Sequence, residues 1–193
     1  QWAPETGHID GVMPTHPGLL AELGADDARA HVGQICRLVD GPVNVEVVAV
    51  DAEAMYRDGR EWAKLSDNIV VKLPVTEEAI HAVRRLTAEG VRVNTTLIFN
   101  GAQALLAAKA GAAFVTPYLG RLDDTGQPGV EVVGDIRRIF DNYRFECQVI
   151  AASVRNPMHF TEAAKRGADG ATVTAAVLRA LLVHPLTDRG LHQ

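Results

Sequence analysis

The clearest indication of the fold of this chain is the stretch Ile69-Val70-Val71-Lys72-Leu73-Pro74. Its apolar residues follow one another without alternation, which predicts a strand buried on both faces in a parallel sheet. A single lysine interrupts the strand. Burial disfavours the charged form of an amine, and a neutral amine is a nucleophile, so Lys72 is a candidate Schiff-base lysine. The alternative is a lysine whose head reaches solvent at the strand end or pairs with a carboxylate.

The composition limits the class of protein. The 193 residues are 47% hydrophobic and 22% charged, so we expect a single domain over residues 1–193. The net charge of -5 argues against nucleic acid or an acidic membrane surface as a partner. The longest apolar stretch, residues 102–113, is too short and too mixed for a membrane span.

The two cysteines and the glycines indicate neither a metal nor a nucleotide cofactor. Cys36 and Cys147 stand far apart, outside any CxxC motif or His-Cys cluster, so no metal site is predicted. Two reduced cysteines fit a cytoplasmic protein. Neither a P-loop nor a G-x-G-x-x-G motif is present, so no site for a nucleotide or dinucleotide cofactor is predicted.

Apolar strands alternate with helical stretches along the chain, which is the pattern of a parallel α/β fold. The predicted strands are residues 9–13, 43–50, 69–73, 93–99, 113–118, 147–152 and 171–173. The predicted helices are residues 26–38, 52–65, 76–88, 102–110, 129–142, 157–166 and 175–183. Units of about 20 to 25 residues favour a (β/α)8 TIM barrel over the alternative, an open doubly wound sheet. Seven strands are one short of that barrel, so we expect a first strand that is missing before Gln1.

In such barrels the catalytic groups lie at the carboxyl ends of the strands. Glu46 lies inside an apolar strand and needs a partner, for which Lys72 is the obvious candidate, directly or through water. A structural ion pair without any reaction is the alternative. Asn94 and Thr96 place an amide and a hydroxyl in a later strand, although threonine is also common in strands for packing.

Two further strand ends carry polar groups. The segment Thr116-Pro117-Tyr118 supplies a phenol and is followed by Arg121, although a tyrosine there is also a common core residue. The segment Ser153-Val154-Arg155-Asn156-Pro157 combines a hydroxyl, a guanidinium and a helix start, which suits a phosphate or another anion. A capped helix start with an exposed arginine is the alternative. Together these groups suit carbonyl chemistry on a phosphorylated substrate.

Five motifs resemble the small transaldolases and their relatives, the fructose-6-phosphate aldolases. The motifs are Val70-Val71-Lys72-Leu73-Pro74-Val75-Thr76, Asn94-Thr95-Thr96-Leu97-Ile98-Phe99, Gly120-Arg121-Leu122-Asp123-Asp124, Ile150-Ala151-Ala152-Ser153-Val154-Arg155 and His184-Pro185-Leu186-Thr187-Asp188. The resemblance covers nearly the whole chain. It implies a cofactor-independent class I aldolase on a (β/α)8 barrel, with sugar phosphates as substrates. It also implies a ring-shaped homo-oligomer, commonly a decamer.

The resemblance implies that Lys72 carries a three-carbon dihydroxyacetone unit as a Schiff base. Glu46 and Thr96 would position the water that moves protons during imine formation and carbon-carbon cleavage. Two residues give conflicting indications of whether the three-carbon unit is transferred or released. Tyr118 is typical of the aldolases, and Glu46 is typical of the transaldolases. The motifs as a whole favour a transaldolase of the pentose phosphate pathway. The alternative is a fructose-6-phosphate aldolase that releases dihydroxyacetone and glyceraldehyde 3-phosphate.

The resemblance also implies which residues bind the substrate. Asn94 would hydrogen-bond the substrate hydroxyls, and Thr116 belongs to the same binding set. Ser153 and Arg155 would hold the phosphate, with Arg121 near the same pocket.

Two departures from the family pattern favour a further alternative, a catalytically impaired sugar-phosphate binding or structural ring protein. The family's first strand carries an aspartate in Leu-Asp-Thr or Leu-Asp-Ser, and nothing before Trp2 supplies it. The second strand of the family reads Gly-Val-Thr-Thr-Asn-Pro, and His16 stands where its substrate-binding asparagine is expected. If only the first strand is absent, we expect the aspartate in the full protein, whereas the change at His16 belongs to this sequence.

Overall fold

One parallel sheet organises the computed structural model, which describes residues 7–14 and 25–191. Its six strands lie side by side in chain order, and each pairs in parallel with the next. The strands are β1 (Val43–Glu46), β2 (Ile69–Pro74), β3 (Val93–Ile98), β4 (Phe114–Pro117), β5 (Gln148–Ala151) and β6 (Gly170–Ala171). A doubly wound sheet reverses its strand order, whereas these strands progress in one direction, as in a (β/α)8 barrel. The barrel prediction is confirmed for this part of the chain.

Helices alternate with the strands, and several of them pack against the sheet. They are α1 (Ala25–Leu38), α2 (Ala52–Ala63), α3 (Glu77–Ala88), α4 (Gly101–Lys109), α5 (Leu119–Asp123), α6 (Glu131–Tyr143), α7 (Pro157–Lys165), α8 (Ala175–Ala180) and α9 (Pro185–Leu191). Side chains of Asp51, Thr76, Asn100 and Asn156 cap α2, α3, α4 and α7 by accepting a backbone N–H of the first turn. No helix in residues 7–14 and 25–191 is long and apolar enough to cross a membrane.

The beginning of the sheet is shorter than predicted. Residues 9–13, predicted as a strand, contribute one parallel bridge between Val12 and Val43. The strand predicted over 43–50 ends at Glu46, and Val48 and Val50 are 72% and 81% exposed. Valine favours extended backbone because it packs well on a pleated surface, so a run of valines overestimates the strand where that surface ends.

Two short helices, α5 and α9, add to the predicted set. They are five and seven residues long, and each contains a glycine, Gly120 or Gly190. Glycine is a poor helix former, so the pattern for these segments is weak. Because α5 starts directly after β4, it turns the chain at the carboxyl edge of the sheet.

The core lies between the sheet and the surrounding helices. Its largest fully buried side chains include Phe140, Met55, Leu86 and Ile136. Gly59 lets α2 approach β2 closely, because a Cβ there would lie 2.9 Å from Val71 Cγ1. This packing fixes β2, and with it Lys72, against the helix layer.

Candidate active site

Glu46 and Lys72 face each other on two neighbouring strands. β1 and β2 pair with Glu46 opposite Lys72, so the two side chains emerge on the same face of the sheet. Lys72 Nζ donates to Glu46 Oε2 over 2.9 Å, and the side chains are only 9% and 18% exposed. A charge at such depth is tolerated when it is paired and hydrogen-bonded. The structure thus brings a carboxylate to the interrupting lysine, as expected from the two apolar strands.

Thr96 and Tyr118 make a second contact nearby, on β3 and at the end of β4. The Thr96 hydroxyl donates to Tyr118 Oη over 3.3 Å, and Thr96 is fully buried. The tyrosine ring packs against Phe99, with 6.1 Å between centroids, and the Arg121 guanidinium carbon lies 4.7 Å from the ring centroid. These two contacts restrict the phenol, since aromatic and cation–π contacts both have preferred geometries. Arg121 therefore lies beside Tyr118 at this edge.

An irregularity in β3 directly follows Thr96. Leu97 adopts φ 58°, and the pairing of β3 with β4 shifts register between Thr95 and Ile98. Such a bulge redirects the neighbouring side chains, and a leucine at positive φ is strained unless its surroundings hold it. Leucine does not favour this backbone, so the sequence contains no signal for it.

A row of three buried polar side chains joins β1, β3 and β4. Thr116 Oγ1 donates to Asn94 Oδ1, and Asn94 Nδ2 donates to Asn44 Oδ1, each over 2.8 Å. Asn94 and Thr116 are fully buried, and Asn44 is nearly so. Because both ends of its amide are held, the orientation of Asn94 is fixed. Asn44 was not among the predicted site residues, although its place two residues before Glu46 puts both on one strand face.

The turn after β5 is hydrogen-bonded to the start of α5. Ser153 adopts φ 53°, and its carbonyl accepts the backbone N–H of Gly120 over 3.1 Å. Arg155 extends across Gly120, where a Cβ would overlap the arginine Nε. Only glycine leaves room for this approach. Ser153 and Arg155 therefore lie at the same edge as Tyr118, which precedes α5.

Asp124 pairs directly with Arg155, and Asp123 supports it through His159. The Asp124 carboxylate accepts from Arg155 Nη1 over 2.6 Å and from Nη2 over 2.5 Å. Asp123 Oδ2 lies 3.0 Å from His159 Nε2, and His159 Nδ1 accepts the backbone N–H of Arg155 over 3.3 Å. The hydrogen bonds from Arg155 hold the pKa of the Asp124 carboxyl below its usual range. Neither aspartate was assigned this role from the sequence, because pairing across 31 residues leaves no local pattern.

Two cavities open at opposite ends of the sheet. One of about 460 Å³ lies at the carboxyl ends of the first strands, where Glu46, Thr76 and Leu97 contribute to its wall. The other cavity, of about 790 Å³, lies at the amino ends of the strands, and Asn44 and Asn94 contribute to its wall. Glu46 lines the smaller cavity, which makes this cavity the candidate approach for a substrate from the carboxyl ends of the strands. His16, a predicted binding residue, lies outside the described residues.

The cysteines stand apart from these groups. Burial raises the pKa of the Cys147 thiol to about 12, so it stays protonated near neutral pH. Cys36 is partly buried, and desolvation raises its pKa as well. In the part of the chain that the structure describes, no group of three or more His, Cys, Asp or Glu side chains could hold a metal ion.

The chain is similar in sequence to known proteins over nearly its whole length. Residues 22–193 match the family described as transaldolase/fructose-6-phosphate aldolase. A probable transaldolase of Hyphomonas neptunium is 52% identical over 186 residues, covering 96% of this chain and 85% of that protein. One of Prosthecochloris aestuarii is 48% identical over 196 residues, covering 98% and 87%. One of Methanococcus maripaludis is 49% identical over 187 residues, covering 97% and 86%. This chain therefore belongs to the transaldolase/fructose-6-phosphate aldolase family.

Proposed function

We propose that the protein is a Schiff-base transaldolase that transfers a dihydroxyacetone unit between sugar phosphates in the pentose phosphate pathway. The observation that carries this proposal is the buried contact of 2.9 Å between Lys72 Nζ and Glu46 Oε2. A carboxylate at that distance can take a proton from the ammonium and return it to a leaving oxygen. Membership of the family supports an enzyme of the transaldolase or aldolase type.

Imine formation uses the Glu46–Lys72 pair. Glu46 accepts a proton from the lysine ammonium, which frees the nitrogen lone pair to attack the carbonyl carbon of a ketose phosphate. The carbonyl oxygen takes a proton from the nitrogen of the adduct, which gives a carbinolamine. Its hydroxyl then receives the proton held by Glu46 and leaves as water, and the iminium forms. We assign Glu46 and Thr96 the further task of holding a water through which this proton moves.

Carbon-carbon cleavage follows on the iminium. Glu46, acting through the water that it holds with Thr96, removes the proton from the hydroxyl next to the bond that breaks. The aldose phosphate leaves, and the bonding electron pair moves into the iminium. The enamine on Lys72 then adds to the carbonyl of a second aldose phosphate, whose oxygen takes up that proton, and hydrolysis of the new imine releases the product ketose. Asn94 suits the binding of substrate hydroxyls, because Thr116 and Asn44 hold its amide in one orientation.

The substrate phosphate is assigned to Ser153 and Arg155. A guanidinium binds a phosphate through two parallel N–H groups, and the Ser153 hydroxyl adds another donor in the same turn. Arg121, which stacks on Tyr118, lies at the same edge and adds positive charge. Thr116 is buried beneath Asn94, so we place it in a supporting role through that amide.

Borohydride trapping with fructose 6-phosphate, followed by peptide mass mapping, tests this function. We expect a reduced three-carbon adduct on Lys72, which establishes both imine formation and cleavage. Lys72→Met should abolish the adduct, whereas Lys64→Met, which removes a lysine 58% exposed at the end of α2, should leave it unchanged. A six-carbon adduct would mean that cleavage fails. No adduct in folded protein that binds sugar phosphate would favour the impaired binding protein instead.

A fructose-6-phosphate aldolase is the second candidate, and the contact between Thr96 and Tyr118 favours it. The phenol lies 3.3 Å from the Thr96 hydroxyl and can pass a proton toward the enamine carbon, releasing dihydroxyacetone. Assaying product formation with and without an added aldose phosphate acceptor separates the two activities. Release of dihydroxyacetone without acceptor, at a rate equal to transfer, would make the aldolase the main activity.

We also propose that residues 1–193 act as one barrel domain within a cytoplasmic homo-oligomer. Four apolar residues near the end of the described chain support association, since they are 63% to 79% exposed: Leu182, Val183, Leu186 and Leu191. Two unpaired cysteines fit a reducing compartment. Light scattering at several protein concentrations tests the assembly, and a monomer at every concentration would refute it.

A further inference from the structure

The guanidinium of Arg155 is already paired in the geometry that a phosphate would use. Its two terminal nitrogens donate to the two oxygens of the Asp124 carboxylate over 2.6 Å and 2.5 Å. A phosphate accepts from arginine through the same kind of parallel N–H pair. A carboxylate and a phosphate cannot both occupy that edge of one guanidinium, so Asp124 and an incoming phosphate compete for it.

The rest of Arg155 is held without Asp124. Its backbone N–H donates to His159 Nδ1, and His159 Nε2 lies 3.0 Å from Asp123. The side chain lies against Gly120, which leaves room for it at the start of α5. Opening the contact with Asp124 would therefore free the guanidinium edge while the turn stays in place.

The pair is also accessible, unlike the pair of Glu46 and Lys72. The side chains of Arg155 and Asp124 are 48% and 57% exposed. Exposed ion pairs contribute little to stability, so opening this one costs little. A dianionic phosphate attracts the guanidinium more strongly than a monoanionic carboxylate at the same distance, because the Coulomb energy scales with charge.

We propose that Asp124 competes with the substrate's anionic group for Arg155 and thereby sets the affinity of the phosphate subsite. It keeps the guanidinium paired when no anion is bound, so every anion that binds Arg155 has to displace it and binds more weakly by the same factor. This inference rests on the proposed function in one respect, namely that Arg155 binds the substrate phosphate.

Calorimetric titration with inorganic phosphate at pH 8 and low salt tests the competition. We expect Asp124→Asn and Asp124→Ser to lower the dissociation constant about twofold to tenfold, as expected when an exposed ion pair is removed from the competition. The matched control is Asp141→Asn, which removes the same charge from an ion pair with Arg137 on α6. It should bind phosphate as the wild type does. Arg155→Gln should abolish the gain when combined with Asp124→Asn.

Three results would overturn the inference. Unchanged or weaker binding in folded Asp124→Asn and Asp124→Ser would mean that Asp124 supports the arginine instead of competing for it. An equal gain in phosphate affinity in Asp141→Asn would mean that the effect comes from the net charge of the protein. A gain that survives Arg155→Gln would place the phosphate elsewhere.

Trapping with dihydroxyacetone, which carries no phosphate, separates this inference from the proposed function. If Lys72 forms an adduct but phosphate binding does not depend on Arg155, the inference is wrong and the Schiff-base chemistry still stands. Phosphate binding that Asp124→Asn strengthens, without any adduct from dihydroxyacetone or fructose 6-phosphate, supports the inference and overturns the proposed chemistry.

Discussion

Lys72 and Glu46 form an ion pair between neighbouring strands, and it lies far deeper than the other lysine pairs described. In the pairs of Lys64 with Glu61 and of Lys165 with Glu162, the lysine side chains are 58% and 66% exposed, against 9% for Lys72. Exposed pairs contribute little to stability, whereas removing one partner of a buried pair leaves an uncompensated charge. Substitutions at this pair should therefore affect both folding and chemistry.

Glu46→Gln should lower kcat by about 10²- to 10⁴-fold, the usual contribution of a general acid or base, with a smaller change in KM. The amide can still contact Lys72 but cannot accept its proton. Steady-state kinetics measure the effect. The matched control is Glu53→Gln, which removes the exposed partner of Arg85 and should leave kcat unchanged. An unchanged kcat in Glu46→Gln would remove Glu46 from the proton transfers.

Tyr118→Phe should reduce the release of dihydroxyacetone and leave or raise group transfer. The substitution removes the hydroxyl beside Thr96 but keeps the ring that packs on Phe99. Product analysis with and without an acceptor measures the ratio. Tyr143→Phe is the control, since Tyr143 is 68% exposed on α6. If release stays the same, the Tyr118 phenol takes no part in protonating the enamine.

Thr116→Val and Thr95→Val should have different effects, although both remove a fully buried hydroxyl. Thr116→Val leaves Asn94 Oδ1 without its donor and should lower the free energy of unfolding by about 1–3 kcal/mol. Thr95 Oγ1 has no hydrogen-bond partner in the described structure, so Thr95→Val should be neutral or stabilising. Urea unfolding of both variants measures the difference. Equal losses of unfolding free energy in the two variants would mean that the hydrogen bonds through Asn94 add nothing to stability.

Cys147 should make the protein less stable as the pH rises above about 9. Burial raises the pKa of this thiol from 9.0 to about 12, so the unfolded chain loses the proton first. The group therefore adds stability below pH 9 and loses that contribution as the pH rises toward 12. Urea unfolding at pH 8 and pH 10 should show a smaller loss for Cys147→Ala than for the wild type. Equal losses of stability between pH 8 and pH 10 in the variant and the wild type would mean that Cys147 does not cause the pH dependence.

The pattern of residues was informative where a polar group interrupts an apolar run. Lys72 and Glu46 stand in strands that are otherwise apolar, and a charge there requires a partner, so their contact could be expected before the structure was known. Strand ends were less well predicted, because valine favours extended backbone and Val48 and Val50 continue the run of valines after the strand has ended at Glu46, where both side chains are exposed.

The order of the strands and of the longer helices, and the kinds of group at the strand ends, could be predicted from the sequence. Local periodicity, caps and buried polar residues carry that information. Two long-range contacts became visible only in the folded chain: Asn44 accepts a hydrogen bond from Asn94 across 50 residues, and Asp124 pairs with Arg155 across 31. The same is true of the bulge at Leu97. These contacts depend on strand register and on how turns meet at the edge of the sheet, and no local pattern in one sequence specifies such long-range geometry.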